Sequence, residues 1–75
     1  MTVGDLAVYN AAVQAGCTHR EAQTIAAYVV SDTLEEAARA LNISERTAAQ
    51  NLYRVRRRVK ASHNAAAMVQ LLRGS

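Results

Sequence analysis

The chain has 75 residues, a length that fits one domain and seldom encloses the concave pocket that an enzyme needs. It has one cysteine, no proline, no phenylalanine and no tryptophan, and no apolar stretch approaches the ~18 residues that cross a bilayer. All six acidic residues lie at or before Glu45, whereas seven of the nine basic residues follow it, a split that attracts a polyanion to the second part. We therefore expect a cytoplasmic, helical protein that is neither an enzyme nor a membrane protein and that binds no cofactor or metal.

Two helices are predicted in the first part of the chain. The first runs from about Val3 to Ala15, where Gly16 is placed to end it. Its apolar residues recur with helical spacing at Leu6, Tyr9 and Val13. The second begins after Thr18, which forms a capping box with Glu21. Its apolar face is expected to contain Ala22, Ile25, Ala26 and Val29.

A short third helix and a longer fourth helix follow. Thr33 and Glu36 predict a second capping box, and the inward face of the third helix is Leu34, Ala37, Ala38 and Leu41. Asn42 tolerates the left-handed backbone that reverses the chain, and Ser44 is a cap for a helix from Glu45 to about Lys60. This order predicts a helix-turn-helix unit. A last helix is expected to carry Ala65, Ala66, Met68, Val69 and Leu72.

The fourth helix is expected to have one buried and one exposed face. At 100° per residue, its core stripe is Ala48, Leu52, Val55 and Val59. The opposite side holds Arg46, Gln50, Tyr53 and Arg57, and no acidic residue follows Glu45. Because a major groove admits one α-helix, base-edge contacts are expected from Arg46, Gln50, Tyr53 and Arg54. Phosphate contacts are expected from Thr47, Asn51, Arg57 and Arg58.

These residues resemble the LuxR-type (GerE-like) helix-turn-helix family over about Cys17 to Val69. The segment Thr18–Glu21 is similar to the family's Thr-x-Arg-Glu, and residues 36–44 are similar to its Glu-Ile-Ala-x-x-Leu-x-Ile-Ser. The spacing from Val55 to Val59 is similar to its Ile-x-x-Lys-Leu. The chain departs from the family at Lys60, where the family carries glycine after its recognition helix.

The resemblance implies an all-α, tetrahelical helix-turn-helix DNA-binding domain over residues 17–72, preceded by an extra helix over residues 1–16. It places residues 45–60 in the major groove of duplex DNA, and it adds Ala49 to the base-edge contacts and Thr33 to the phosphate contacts. It also implies a transcriptional regulator that forms a homodimer, often through its last helix in that family, and the helix from Val3 to Ala15 is the alternative interface. The expected interface residues are Ala65, Met68, Val69 and Leu72.

Two alternatives remain open. Region four of sigma factors resembles the stretch from Thr33 to Arg58 and would make RNA polymerase a partner. A protein-interaction adaptor would instead use the alanine-rich end helices for a partner and the basic helix for an acidic surface. Cys17, His19 and His63 lack metal-ligand spacing, so we expect them to be structural or solvated.

Overall fold

Four α-helices make up the part of the chain that the computed structural model describes, residues 3–60. They are α1 (Val3–Gln14), α2 (His19–Ser31), α3 (Leu34–Leu41) and α4 (Glu45–Val59), with no strand among these residues. The predicted all-α class is confirmed. The predicted last helix and its interface residues Ala65, Met68, Val69 and Leu72 lie outside the described residues. Within residues 3–60, no helix combines the length and the apolar character that crossing a membrane requires.

Side chains predicted to cap helices mark where α2, α3 and α4 begin. The Thr18 hydroxyl accepts a 3.2 Å hydrogen bond from the Glu21 amide, and the Glu21 carboxylate accepts a 3.0 Å bond from the Thr18 amide. Thr33 and Ser44 each accept from the backbone amide three residues later, at 3.2 and 3.0 Å. For Thr33 this is the threonine half of the predicted box. These bonds satisfy amides that the first helical turn leaves without partners.

The described helices end at residues with left-handed or otherwise positive φ. Gly16 follows α1 with φ +97°, and Asn42 ends α3 with φ 56°, as their residue types predicted. Asp32 and Lys60 end α2 and α4 with φ 66° and 56°. A lysine carries the Cβ that makes this conformation unfavourable, so the end of α4 is a strained position.

α2 lies at the centre of the fold and packs against α1, α3 and α4, while α3 also packs against α4. The main core cluster joins residues of α1, the α1–α2 turn, α2 and α4: Val8, Ala11, Ala12, Cys17, Ala22, Ile25, Leu52 and Val55. Tyr9, Tyr28, Val29, Leu34 and Val59 pack against it. The predicted core positions of α2 and α4 are confirmed, and Ala37 and Ala38 of α3 are buried as expected.

The predicted apolar stripe of α1 is wrong at Leu6 and Val13, while its third residue, Tyr9, packs against the core cluster. Leu6 and Val13 are 51% and 45% exposed, whereas Val8, Ala11 and Ala12 are buried. The distance between two packed helices depends on the side chains at their contact. The two alanines let α1 approach α2 closely, so the larger Leu6 and Val13 are left on the outer side.

Candidate nucleic-acid interface

A three-residue turn, Asn42 to Ser44, joins α3 to α4. The Asn42 amide donates to carbonyls of the last turn of α3, and the Ile43 amide donates to the Ala38 carbonyl at 3.0 Å. Ala38 and Ala48 are both buried, and α3 packs against α4. The short, hydrogen-bonded turn and this packing fix which face of α4 points outward.

The outward face of α4 is basic and polar. The five side chains expected at base edges are all exposed: Arg46, Ala49, Gln50, Tyr53 and Arg54. Four of the five side chains expected at phosphates are exposed as well: Thr33, Thr47, Arg57 and Arg58. The opposite side of α4 is buried through Ala48, Leu52 and Val55. The exposure of the nine predicted contact residues is what a groove-binding face requires, while their contact with DNA stays a prediction.

Asn51 is the exception, and the expectation that it contacts phosphate is wrong. Its side chain is buried, and its amide donates a 3.0 Å hydrogen bond to the Thr24 hydroxyl of α2. The Thr24 hydroxyl in turn donates to the Arg20 carbonyl at 2.7 Å. At the edge of the α4 face, α2 covers Asn51 and takes it into the contact between the two helices.

Tyr53, on the exposed face of α4, has two arginine side chains close to its ring. The Arg56 and Arg57 guanidinium carbons lie 5.7 and 5.9 Å from its ring centroid. Arg57 also donates a 3.2 Å hydrogen bond to the Tyr53 hydroxyl. Cation–π contacts at exposed sites contribute about 0.5–1 kcal/mol each. The arginines therefore restrict the orientation of the ring, an effect that the spacing of three and four residues is suited to produce.

Arg58 forms an ion pair with Glu21 of α2 across the α2–α4 contact. Its Nε lies 2.7 Å from Glu21 Oε1, and its Nη2 lies 3.5 Å from Oε2. The Glu21 side chain is 3% exposed and that of Arg58 is 40% exposed. Burial alone would raise the pKa of Glu21, but hydrogen bonds from Arg58 and the Thr18 amide, together with the positive charges of Arg58 and Arg54, outweigh it, so this pKa lies below its ordinary value. Glu21 is therefore a charged partner of Arg58 as well as a helix cap.

The sequence analysis missed this ion pair. Glu21 and Arg58 are 37 residues apart, and the capping-box pattern already accounted for the carboxylate. The only sequence signal was an acidic residue placed where a helix cap would bury it. The pair matters for the interface because Arg58, Arg54 and Arg57 line one concavity on the surface of α4.

Comparison of the chain with protein-family models, with curated proteins and with solved structures found no match. The resemblance to the LuxR-type family therefore stays a prediction. The features of the molecule that bear on its function are the charge of α4, the exposure of its outward face and its packing against α3.

Cys17 and His19 lie at the junction of α1 and α2. Burial, together with the nearby charge of Glu21, raises the pKa of the Cys17 thiol, and Arg58 opposes this only in part. His19 Nδ1 lies within hydrogen-bond distance of the Tyr9 hydroxyl, 2.7 Å, and the two rings meet edge to face. Among the described residues, no group of three or more histidine, cysteine or acidic side chains is arranged to hold a metal ion. Both residues have structural partners at this junction.

Proposed function

We propose that the protein binds duplex DNA through the outward face of α4 and regulates transcription. The observation that carries this proposal is the exposed basic face of α4. This helix has no acidic residue after Glu45, and a short turn joins it to α3. An ordinary solvated helix mixes acids with bases to gain ion pairs along its surface. Phosphates of DNA supply the negative charge that this face lacks.

The exposed side chains divide into two groups by their chemistry. Guanidinium and carboxamide groups make paired hydrogen bonds to guanine and adenine, and alanine can meet a thymine methyl group. The proposed base-edge group is Arg46, Ala49, Gln50, Tyr53 and Arg54. The hydroxyls of Thr33 and Thr47 lie at the starts of α3 and α4, where helix termini favour an anion. These two threonines, together with Arg57 and Arg58, are the residues proposed to contact DNA phosphates.

Fluorescence anisotropy with a labelled random-sequence duplex tests the proposal. Binding is expected at low salt, and its affinity should fall steeply between about 50 and 200 mM salt because counterions are released from the phosphates. Arg54→Ala should weaken binding, whereas Arg20→Ala, at an exposed arginine on α2, is the matched control and should have little effect. No binding to duplex at low salt, with binding to polyglutamate instead, would reject DNA as the partner.

We also propose that the protein acts as a homodimer on paired half-sites. A single helix in one groove covers few base pairs and forms a small interface. Two copies related by a two-fold axis double the contacts and increase the selectivity. The last helix is the proposed interface, and its residues lie outside the described part of the chain.

A protein-interaction adaptor is the second candidate, and one observation favours it. Leu6 and Val13 of α1 and Val30 of α2 are exposed large apolar residues. A sigma-like module that docks on RNA polymerase is a separate alternative, within nucleic-acid binding. Replacing Leu6 by serine should leave the binding of random duplex unchanged if α4 alone contacts DNA. If this variant binds duplex normally but no longer regulates transcription, the lost contact is with a protein partner.

A further inference from the structure

We propose that Arg54, Arg57 and Arg58 form one notch for a single phosphate group, and that Glu21 is the positioning residue that holds Arg58 in it. This inference rests on the proposed DNA binding and deepens it. Arg54 is then a phosphate contact and not a base-edge contact. Glu21 lies on another helix and touches no DNA, but it supports the interface through Arg58.

The side chains of three arginines line one concavity on the surface of α4: Arg54, Arg57 and Arg58. Arg54 lies three and four residues before the other two, so it is next to both of them on the helix surface. Three like charges around one concavity repel each other, and among residues 3–60 the one acidic group shown to act on them is Glu21 of α2, which pairs with Arg58 and lies near the charge of Arg54. A phosphate group has the opposite charge and several acceptor oxygens for guanidinium donors.

Two of the three arginines are held in place before any ligand binds. Arg57 donates to the Tyr53 hydroxyl at 3.2 Å, and Arg58 donates to Glu21 at 2.7 Å through Nε. A guanidinium has five N–H donors, so each arginine keeps others for a phosphate. Groups that are already oriented lose less conformational entropy on binding than free side chains do.

The sign of the effect of Glu21 separates positioning from simple charge. If Glu21 only offset the charge of Arg58, removing its negative charge would strengthen binding to a polyanion. If Glu21 positions Arg58, the same change weakens binding although the protein becomes more positive. Glu21→Gln is the suitable variant because its carboxamide oxygen can still accept from the Thr18 amide and keep the helix cap, whereas its NH₂ group replaces the second oxygen and removes both the charge and the acceptor for Arg58 Nη2.

The first experiment measures the affinity of the full chain for a random-sequence duplex. Glu21→Gln should bind about tenfold more weakly than wild type, because Arg58 loses its charged partner and with it the fixed orientation toward the phosphate. Glu36→Gln, at an exposed acid of α3, removes the same charge and should bind equally or more tightly. In an Arg58→Ala background, Glu21→Gln should cause no further loss, because Glu21 acts through Arg58. Tighter binding by Glu21→Gln, with circular dichroism unchanged, would overturn the positioning role.

A second experiment needs no substitution and identifies the source of the phosphate. The arginine side-chain N–H signals in NMR spectra are followed while the wild-type protein is titrated with duplex DNA and, separately, with sodium phosphate. Shifts at Arg54, Arg57 and Arg58 with duplex alone support a notch for the DNA backbone. Shifts of all three with sodium phosphate alone support a notch for free phosphate and reject the proposed DNA binding.

The remaining outcomes of the titration are equally decisive. Shifts of the three signals with both additives support the notch and show that it accepts either source. If duplex shifts Gln50 and Tyr53 but not the three arginines, DNA binding stands and the notch is overturned. If neither additive shifts any signal, both the notch and the proposed function fail.

Discussion

The Asn51 carboxamide of α4 donates a 3.0 Å hydrogen bond to the Thr24 hydroxyl of α2, within the contact between the two helices. Both side chains are buried, and the Thr24 hydroxyl donates onward to the Arg20 carbonyl at 2.7 Å. Apolar packing tolerates small rotations of a helix, whereas a buried hydrogen bond has a narrow range of distance and angle. This pair therefore fixes the rotation of α4 and with it the direction of the exposed basic face.

Asn51→Ala should lower the free energy of unfolding by about 1–3 kcal/mol, because it removes a buried hydrogen bond and leaves space beside Thr24. Urea denaturation measures this change. The control is Gln50→Ala, one position earlier and exposed, which should change stability by less than about 0.5 kcal/mol. A variant with wild-type stability but a smaller salt dependence of duplex binding would instead return Asn51 to the phosphate contacts.

Local signals in the sequence predicted most of the described fold. Thr18, Thr33 and Ser44 mark the starts of three helices, because each hydroxyl bonds an amide only three residues away. Asn42 marks the turn into α4 because asparagine tolerates the left-handed backbone that it adopts there. Such interactions are complete within one or two helical turns, so they leave a pattern that can be recognised without knowing how the helices pack.

Packing between helices decided what the sequence analysis missed. Asn51 and Arg58 lie at the edge of the α4 face, where the angle around the helix does not tell whether α2 covers them. In α1, both Leu6 with Val13 and Val8 with Ala12 have helical spacing, and only the approach of α2 selects the second pair. The capping box with Thr18 already explained Glu21, so the sequence held no further sign of its distant partner Arg58.

Gln50→Ala and Tyr53→Ala should weaken selected DNA sites far more than random duplex. Both side chains are exposed near the centre of the α4 face, and a lost base contact costs about 1–3 kcal/mol and relaxes one base position. Selection from a random library supplies the sites, and anisotropy competition measures the discrimination. Tyr53→Phe keeps the ring near Arg56 and Arg57, so it separates the contribution of the hydroxyl from that of the ring. Unchanged discrimination in both alanine variants would place the base-contacting face elsewhere.

Lys60→Gly should raise the free energy of unfolding by about 1 kcal/mol, because the left-handed backbone at φ 56° carries a steric cost for any residue with a Cβ. Thermal denaturation measures the gain. Lys60→Ala removes the same charge but keeps the Cβ, so it should show no such gain. Equal melting temperatures for the two variants would mean that strain at the end of α4 is negligible.

The loss of folding stability at acidic pH should depend on Glu21. Burial would raise the pKa of Glu21, but hydrogen bonds from Arg58 and the Thr18 amide, together with the charges of Arg58 and Arg54, place the folded-state pKa below its ordinary value, about 4.3 in an unfolded chain. The carboxylate therefore stabilises the fold above that value, and this contribution is lost as the pH falls through the lower folded-state pKa. Urea denaturation between neutral and strongly acidic pH should show a shallower decline for Glu21→Gln than for wild type. Parallel profiles would show that the ion pair contributes nothing to pH dependence.

Met68→Glu should leave the protein folded but convert it to a species of lower mass that no longer prefers paired half-sites. Two recognition helices related by a two-fold axis meet successive major grooves about 34 Å apart, one turn of DNA. The sequence predicts Met68 on the apolar stripe of the last helix, where a charge placed in an interface of two copies would be desolvated. Sedimentation of wild type and variant, with and without a palindromic duplex, measures both effects.

The matched control for this prediction is Leu6→Glu, because Leu6 is a large apolar residue that is 51% exposed on α1. If the last helix is the interface, Leu6→Glu keeps the mass and the half-site preference of wild type. If Leu6→Glu separates the copies and Met68→Glu does not, the interface belongs to α1. A wild-type chain that stays monomeric and binds one to one on a palindromic duplex would end the dimer hypothesis, while the proposed contact of α4 with a single major groove would stand.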